Sequence, residues 1–324
     1  MFLQGLNHNE RFCARRVKNR GETVRSFGDA AVGHSALGAA APVPLSPETV
    51  GTPFTNVRAA EQAGSALWRS LSEHSLTIAQ FMVLRDLDEH PGSGVFDVAD
   101  RTGMDRATTG PLVRRLEIAG LVHRQSSRRD RRRVDLHLLS PARQALSSAD
   151  SALRQVDREL IAPLEESRRK PVLGFWAALT EDVHGELASG STSSPYLIIR
   201  AVRRRQRRIW SESVSSTLSS SQFAMLRAIE AAPGCELRTA ARQAVVEETT
   251  AVRMVMRLAR THYVLDQENP ADRRKSSLYV APSATEELAA MTLACERAEA
   301  VFLGPLASSD RAEAVAAMAT AARE

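Results

Sequence analysis

The residue type whose placement carries chemistry in this chain is arginine. Arg124, Arg128, Arg129, Arg131, Arg132 and Arg133 fall in one short stretch, and Arg200, Arg203, Arg204, Arg205, Arg207 and Arg208 in another. A guanidinium stays charged at physiological pH and donates through a planar fork that fits two phosphate oxygens or a guanine edge. Crowded guanidiniums repel one another, so the first stretch calls for an anionic partner or much solvent. The second reads as a solvated helix face, with a polyanion contact as the less favoured reading. Lys+Arg is 43 against 38 Asp+Glu, a formal +5. That excess is modest, so it is the bunching that points toward nucleic acid.

Other chemistries find no matching pattern. Cys13, Cys235 and Cys295 lie far apart with no C-x-x-C spacing and no histidine cluster, which argues against zinc and disulfides and for reduced thiols. Neither Cys235 nor Cys295 has an evident basic neighbour, so oxidant sensing is disfavoured. No nucleophile elbow, P-loop, H-E-x-x-H or dinucleotide fingerprint occurs. The expectation is a non-enzyme without metal or cofactor. No run of about 18 apolar residues exists, and Asn7, Glu10, Arg11 and Arg15 interrupt any signal-like N-terminus. That favours the cytoplasm.

The elements that must position the arginines follow from the 324-residue length, which suits two domains, and from an internal match. A shift of 142 positions places Trp68 on Trp210, Gln80-Phe81 on Gln222-Phe223, Pro91-Gly92 on Pro233-Gly234, Leu116 on Leu258 and Asp130-Arg131-Arg132 on Asp272-Arg273-Arg274. A period that long implies two whole domains rather than solenoid units. The expected organisation is a flexible tail over 1–48, one copy over 49–189, a linker over 190–195 and a second copy over 196–324.

Within the first copy, helical periodicity starts near Val57 and runs to Leu71. Thr77 caps a second helix through Leu87, and Pro91-Gly92 stops it. A short helix near Phe96–Arg101 ends at Gly103. Asp105 caps a further helix to Ala119, which Gly120 closes. Leu121–Arg124 and Val134–Leu139 alternate as two strands joined by the charged turn. Ser140-Pro141 opens a long helix to Ile161, and a last helix covers about 170–187. The expected fold is mainly α with small β-hairpin wings, a winged helix-turn-helix flanked by helices at both ends.

This order resembles the MarR family of bacterial transcription regulators. The resemblance is carried by Leu76 to Leu84, Val98-Ala99, Met104 to Thr109, Leu112 to Glu117, Gly120-Leu121-Val122, the wing motif Asp130-x-Arg132, and Leu138-Leu139-Ser140. Family members are usually homodimers whose terminal helices pair. Here the resemblance implies that one chain supplies both reading heads, a monomer acting as a pseudo-dimer, with further self-association left open. The implied partner is double-stranded DNA. The implied role is a sequence-specific regulator, a repressor released by a small, often phenolic, effector. The alternative is a ligand- or protein-sensing module whose second copy no longer reads DNA.

In a helix-turn-helix the start of the second helix meets base edges. Arg106 is then the guanine reader, and Thr108 and Thr109 reach bases or thymine methyls. Arg114 and Arg115 reach phosphates, and the resemblance favours pairing of Arg115 with Asp130. It also places Arg132 in the minor groove, with Arg128 and Arg129 on phosphates. The second copy offers Thr249, Thr250, Arg253, Arg257, Asp272 and Arg274, and the resemblance puts Arg253 where family members often have a base-contacting arginine. It also departs: Glu247 and Glu248 replace Asp105 and Arg106, and Val245 replaces Gly103, so the turn is expected to be made differently. Glu247 is a possible cap. Pro111, where the second copy has Arg253, is expected to bend its helix. Over 101–140 ten basic residues face four acidic ones, a net +6; over 243–282 six face five, a net +1. The first copy should therefore dominate phosphate affinity. Trp68, His74, Phe81, Trp210 and Phe223 are the effector candidates, with core packing the favoured account of the rings.

Overall fold

A computed structural model describes residues 52–71, 76–126, 134–180, 194–215, 217–268 and 276–322. Cys13, the expected tail, His74 and both hairpin tips lie outside them. The tips carry Arg128, Arg129, Asp130 and Arg132 in one case and Asp272 and Arg274 in the other.

The first half runs α1 (Pro53–Leu71), α2 (Ile78–Glu89), α3 (Val95–Thr102), α4 (Arg106–Ile118), β1 (Val122–Ser126), β2 (Val134–Leu138), α5 (Ser140–Ile161) and α6 (Glu166–Ala178). The second half repeats the order with α7 (Pro195–Ser213), α8 (Ser220–Ala231), α9 (Leu237–Gln243), α10 (Glu248–Arg260), β3 (Val264–Glu268), β4 (Ser276–Val280), α11 (Thr285–Phe302) and α12 (Ser308–Ala321). A 3-10 turn at Pro282–Ala284 precedes α11. Each half has a winged-helix order with one antiparallel hairpin, Val122 opposite Leu138 and Val264 opposite Val280.

Local chemistry sets the boundaries. Thr77 and Gln80 form a capping box at α2, and Ser219 and Gln222 form one at α8, each satisfying two otherwise orphaned N–H groups. Gly92 and Gly234 both have φ of 80°. They turn the chain so that Ser93 and Cys235 bridge to Leu136 and Leu278, adding a short third rung to each wing. Three boundaries differ from expectation. α1 begins at Pro53, where proline's fixed φ suits a first helical turn. α6 begins at Glu166 and runs through Pro171. Ser194 and Pro195, expected in the linker, cap and open α7, with the Ser194 hydroxyl accepting from Leu197 N–H.

Most of the buried apolar residues form one continuous core from Phe54 to Ala321, and Ala59, Val245 and Ala322 form a small second cluster. Its centre is made by the flanking helices: α1 packs on α5, α7 and α12, and α7 packs on α1, α5, α6 and α11. The crossing of α1 and α7 is close enough that a Cβ on Gly64 would sit 2.3 Å from the Tyr196 ring, so only glycine fits there. Tyr196 then exchanges a 2.8 Å hydrogen bond with Ser65. Two carboxylates reach across at matching positions. Asp157 of α5 accepts from the Tyr196 N–H (2.9 Å) and the Ser194 hydroxyl (2.9 Å) at the start of α7. Glu299 of α11 accepts from Phe54 N–H (3.3 Å) at the start of α1. Each half thus supplies an anion to a helix N-terminus of the other. Burial pushes the Asp157 carboxyl up to about 6 and raises that of Glu299.

The arginine stretch of α7 is not a solvated face. Only Arg207 and Arg208 are exposed, while Arg205 is buried and Arg200, Arg203 and Arg204 are half-buried. Their helix is central, with Leu197, Ile198, Ile199, Ala201 and Val202 buried around it. Arg205 donates to the carbonyl of Phe302, the last residue of α11 (2.5 Å), and Arg204 to that of Thr102, the last residue of α3 (3.0 Å). Arg58 of α1 donates to Ala244, the C-cap of α9 (2.6 Å), and to Ser220 (3.3 Å). Helix C-termini carry unpaired carbonyls and partial negative charge, which is how these cations are accommodated inside. Burial, with repulsion from Arg203, pulls Arg58 down to about 9; burial, with repulsion from Arg207, pulls Arg203 to about 10.

Candidate nucleic-acid interface

α4 is held so that one face is free. Thr109, Leu112, Val113 and Leu116 are buried at i, i+3, i+4, i+7 spacing. Arg106, Thr108, Pro111, Arg114, Arg115 and Ile118 are exposed. At its start Asp105 accepts from the Thr108 N–H and hydroxyl, both at 2.7 Å. Those bonds hold the Asp105 carboxyl below its usual range. The Arg106 guanidinium lies 4.6 Å from the centroid of Phe96, a ring on α3 that is 63% exposed. This cation–π contact pre-extends the arginine at the tip of the reading helix. Pro111 does not interrupt the helix, which is continuous from Arg106 to Ile118. Thr109 is not a base contact: it is fully buried, and its hydroxyl donates to the Asp105 carbonyl at 2.9 Å.

The elements behind α4 are braced by charge. Arg101 donates to both Asp86 oxygens (2.7 and 2.8 Å) and to the Ser93 hydroxyl (2.5 Å). That joins α2, α3 and the wing's third rung, and the Asp86 hydrogen bond raises Arg101 further. Arg124 on β1 donates to both oxygens of Glu117 on α4 at 2.9 Å each, so this wing arginine is spent on positioning. The turn before α4 has Gly103 at φ 60°, and the Arg204 guanidinium from the other half occupies the space a Cβ would need.

The second half keeps the same turn despite Val245, whose φ is 52°. The expected change of turn does not occur. A β-branched residue is forced into left-handed backbone, and its burial against Ala59 and Ala322 holds it there. Gln62 of α1 donates to the Val245 carbonyl (3.1 Å) beside the Arg58–Ala244 bond. The turns before α4 and α10 are therefore each gripped by the first helix of the opposite half. Glu247 occupies the cap position without a side-chain cap bond; it pairs instead with Arg69 of α1 at 3.4 Å. On α10 Thr249, Arg253 and Arg257 are exposed, and Thr250 is half-buried.

The aromatic candidates are core. Trp68 and Trp210 donate from Nε1 to the carbonyls of Leu76 (2.8 Å) and Leu218 (2.6 Å). Their rings pack on Phe81 and Phe223 at 5.4 and 5.2 Å. All four are buried and their polar atoms satisfied. Sequence reasoning missed Arg58, Asp86, Arg101 and Phe96. Nothing in the sequence marked Phe96, expected in the short helix, as exposed beside Arg106, whereas the apolar run beside the arginines of α7 could have flagged buried cations. Burial pushes the Cys295 thiol up to about 12 and raises that of Cys235, which disfavours thiolate chemistry. Among the described residues no cluster of His, Cys, Asp and Glu could hold a metal, and no helix is long and apolar enough to cross a membrane.

An exposed, capped second helix beside a β-hairpin defines the winged-helix class of DNA-binding proteins. The model of the MarR family matches residues 76–134. The chain is 32% identical over 142 residues to the transcriptional regulator TtmR of Methylorubrum extorquens, covering 44% of this chain and 71% of that protein. It is 32% identical over 98 residues to the transcriptional regulator MgrA of Staphylococcus aureus, covering 27% of this chain and 67% of that protein. The crystal structure of the regulator PcaV from Streptomyces coelicolor with its natural ligand matches 39% of this chain and 89% of that one, at 27% identity and a TM-score of 0.38. The chain belongs to the MarR family of transcriptional regulators, and it is similar to transcriptional regulators rather than to enzymes.

Proposed function

We propose that the chain is a duplicated, single-chain counterpart of a MarR dimer that represses transcription by binding one double-stranded operator through both halves. The observation that carries this is reciprocity. Asp157 and Glu299 each hold the first helix of the opposite half, and Arg58 and Arg204 each hold its pre-reading turn. Reciprocal bonds at positions near 142 residues apart are what a pseudo-two-fold pair requires. The proposed domains are 49–189 and 194–324, sharing one core.

The first half is the stronger head. α4 lies in the major groove with Arg106 on guanine and Thr108 on a neighbouring base, while Arg114 reaches phosphates and Arg115 pairs with Asp130. Arg132 enters the minor groove, Arg128 and Arg129 neutralise phosphates, and Asp130 steadies the wing. In the second half Thr249, Thr250, Arg253, Arg257 and Arg274 face the duplex, with Asp272 steadying its wing. Release follows binding of a small effector at the junction of the halves. Arg58 and Arg203 favour an acidic one, such as a phenol or carboxylate, because an anion there would relieve their mutual repulsion.

The test is sequence selection from a random DNA pool followed by footprinting with the full chain. Two protected half-sites about one helical turn apart support the reading. Absence of any selected sequence at low salt rejects it. Phenolic and carboxylate compounds added to the complex should lower its affinity; a panel without effect rejects the effector.

A further inference from the structure

The exposed faces of α4 and α10 carry different side-chain classes at equivalent positions. Residues four apart form a row along a helix, and neighbouring rows lie about 100° apart around it. On α4 one row presents Arg106, Gly110 and Arg114, and the next presents Ala107, Pro111 and Arg115. On α10 the row equivalent to the first presents Glu248, Val252 and Met256, and the next presents Thr249, Arg253 and Arg257. The cations at 106 and 114 thus become a carboxylate and a thioether. The alanine and proline at 107 and 111 become a threonine and an arginine.

These substitutions are outward-facing. Val252 and Met256 are 42% and 39% exposed, and the side chain of Glu248 is 61% exposed, with Arg238 at 4.0 Å. A buried role does not explain an apolar pair on the free face, because Ala251, Val255 and Leu258 already fill the inner one. In a major groove each has a partner. A carboxylate accepts from the cytosine amino group, and apolar side chains pack on thymine methyls. Glu248 repels phosphates, so it is tolerated only where it meets a base.

We infer that the two halves read different half-sites and that the operator therefore has a direction. α4 selects guanine through Arg106. α10 selects a cytosine through Glu248 and thymines through Val252 and Met256, with Arg253 and Arg257 placed one row around toward the backbone. This rests on the reading that both helices face one duplex.

The experiment is random-pool selection with the full chain and with Arg106→Ala, Glu248→Gln and Met256→Ala. The thermal midpoints of these surface variants should stay at the wild-type value. The expected wild-type site is not its own reverse complement. Glu248→Gln should lower the preference for one cytosine in a single half-site about tenfold, and Arg106→Ala should relax only the other half-site. Replacing thymine by uracil in the α10 half-site should weaken wild-type binding about threefold and weaken Met256→Ala by a smaller factor, the share left to Val252. A palindromic site overturns the inference. So does a selected site that responds to Arg106→Ala but to no change on α10; that outcome leaves DNA reading by α4 intact and assigns α10 to a protein contact. Absence of selection by the wild type, or indifference to Arg106→Ala as well, sinks the proposed function together with the inference.

Discussion

The two halves share a backbone plan but are stabilised by different side chains. In the first, Arg101, Asp86 and Ser93 lock α2, α3 and the wing together. The matching positions in the second are Gln243, Ala228 and Cys235, and no ion pair can form. Two left-handed positions held by Gly103 and Gly120 in the first half are held by Val245 and His262 in the second, at φ of 52° and 60°. The first half is thus braced by charge around relaxed glycine turns. The second is packed by apolar contact around strained ones. The lesson is that a turn conformation outlives the residue that made it easy when the opposite half grips it: Gln62 bonds the Val245 carbonyl, and Arg58 bonds Ala244 beside it.

The charge brace of the first half carries the largest expected effect. Arg101→Ala strips the buried Asp86 carboxylate of both guanidinium hydrogen bonds and leaves it only the His90 ring, 3.6 Å away, and should cost about 3 kcal/mol in chemical denaturation. Gln243→Ala should change stability by less than about 0.5 kcal/mol. The pair Asp86→Ala with Arg101→Gln, which imposes the second half's residues, should recover most of the loss. If the single variant is as stable as wild type, the brace has no energetic weight.

For DNA, Arg106→Ala should weaken specific binding by roughly 10- to 100-fold in fluorescence anisotropy, the worth of one bidentate base contact. Arg253→Ala should cost less than tenfold and act on all sequences alike, reducing the salt slope by about one. Equal losses for the two would erase the proposed asymmetry of the heads.

Asp157 sharpens the junction between the halves. Its carboxyl titrates near 6 in the folded chain, above the ordinary value of 3.8. A raised acid binds its proton more tightly when folded, so its ionisation costs stability above pH 6. That cost disappears as pH falls from about 6 to about 4. Asp157→Asn keeps an acceptor for Ser194 and Tyr196 and should be about 1–2 kcal/mol more stable than wild type at pH 7.5, a discount for partial exposure included. The two melting curves should converge near pH 4. A constant gap across that range would assign the shift elsewhere.

The smallest effect concerns the turns. His262 is exposed and left-handed, so His262→Gly should stabilise by about 0.5–1 kcal/mol. Gly120→His should destabilise the first half by a similar amount, measured by thermal midpoint.

The elements were legible in the sequence because their signals are local. Thr77, Asp105 and the alternation of Val134–Leu139 each declare a cap or strand within a few residues. The order of these elements, the 142-residue match and the outward arginine of α4 needed nothing more. What tertiary structure alone decided is which charges face water. Arg200 to Arg208 read as a solvated face, yet Arg204 and Arg205 end inside on helix carbonyls contributed by residues about 100 positions away. Thr109 lay beside Thr108 on the reading helix, and one step of 100° sent its hydroxyl inward to Asp105. Caps, strands and turns are written in neighbouring residues; desolvation is a property of whatever else arrives, and only the packed chain specifies that.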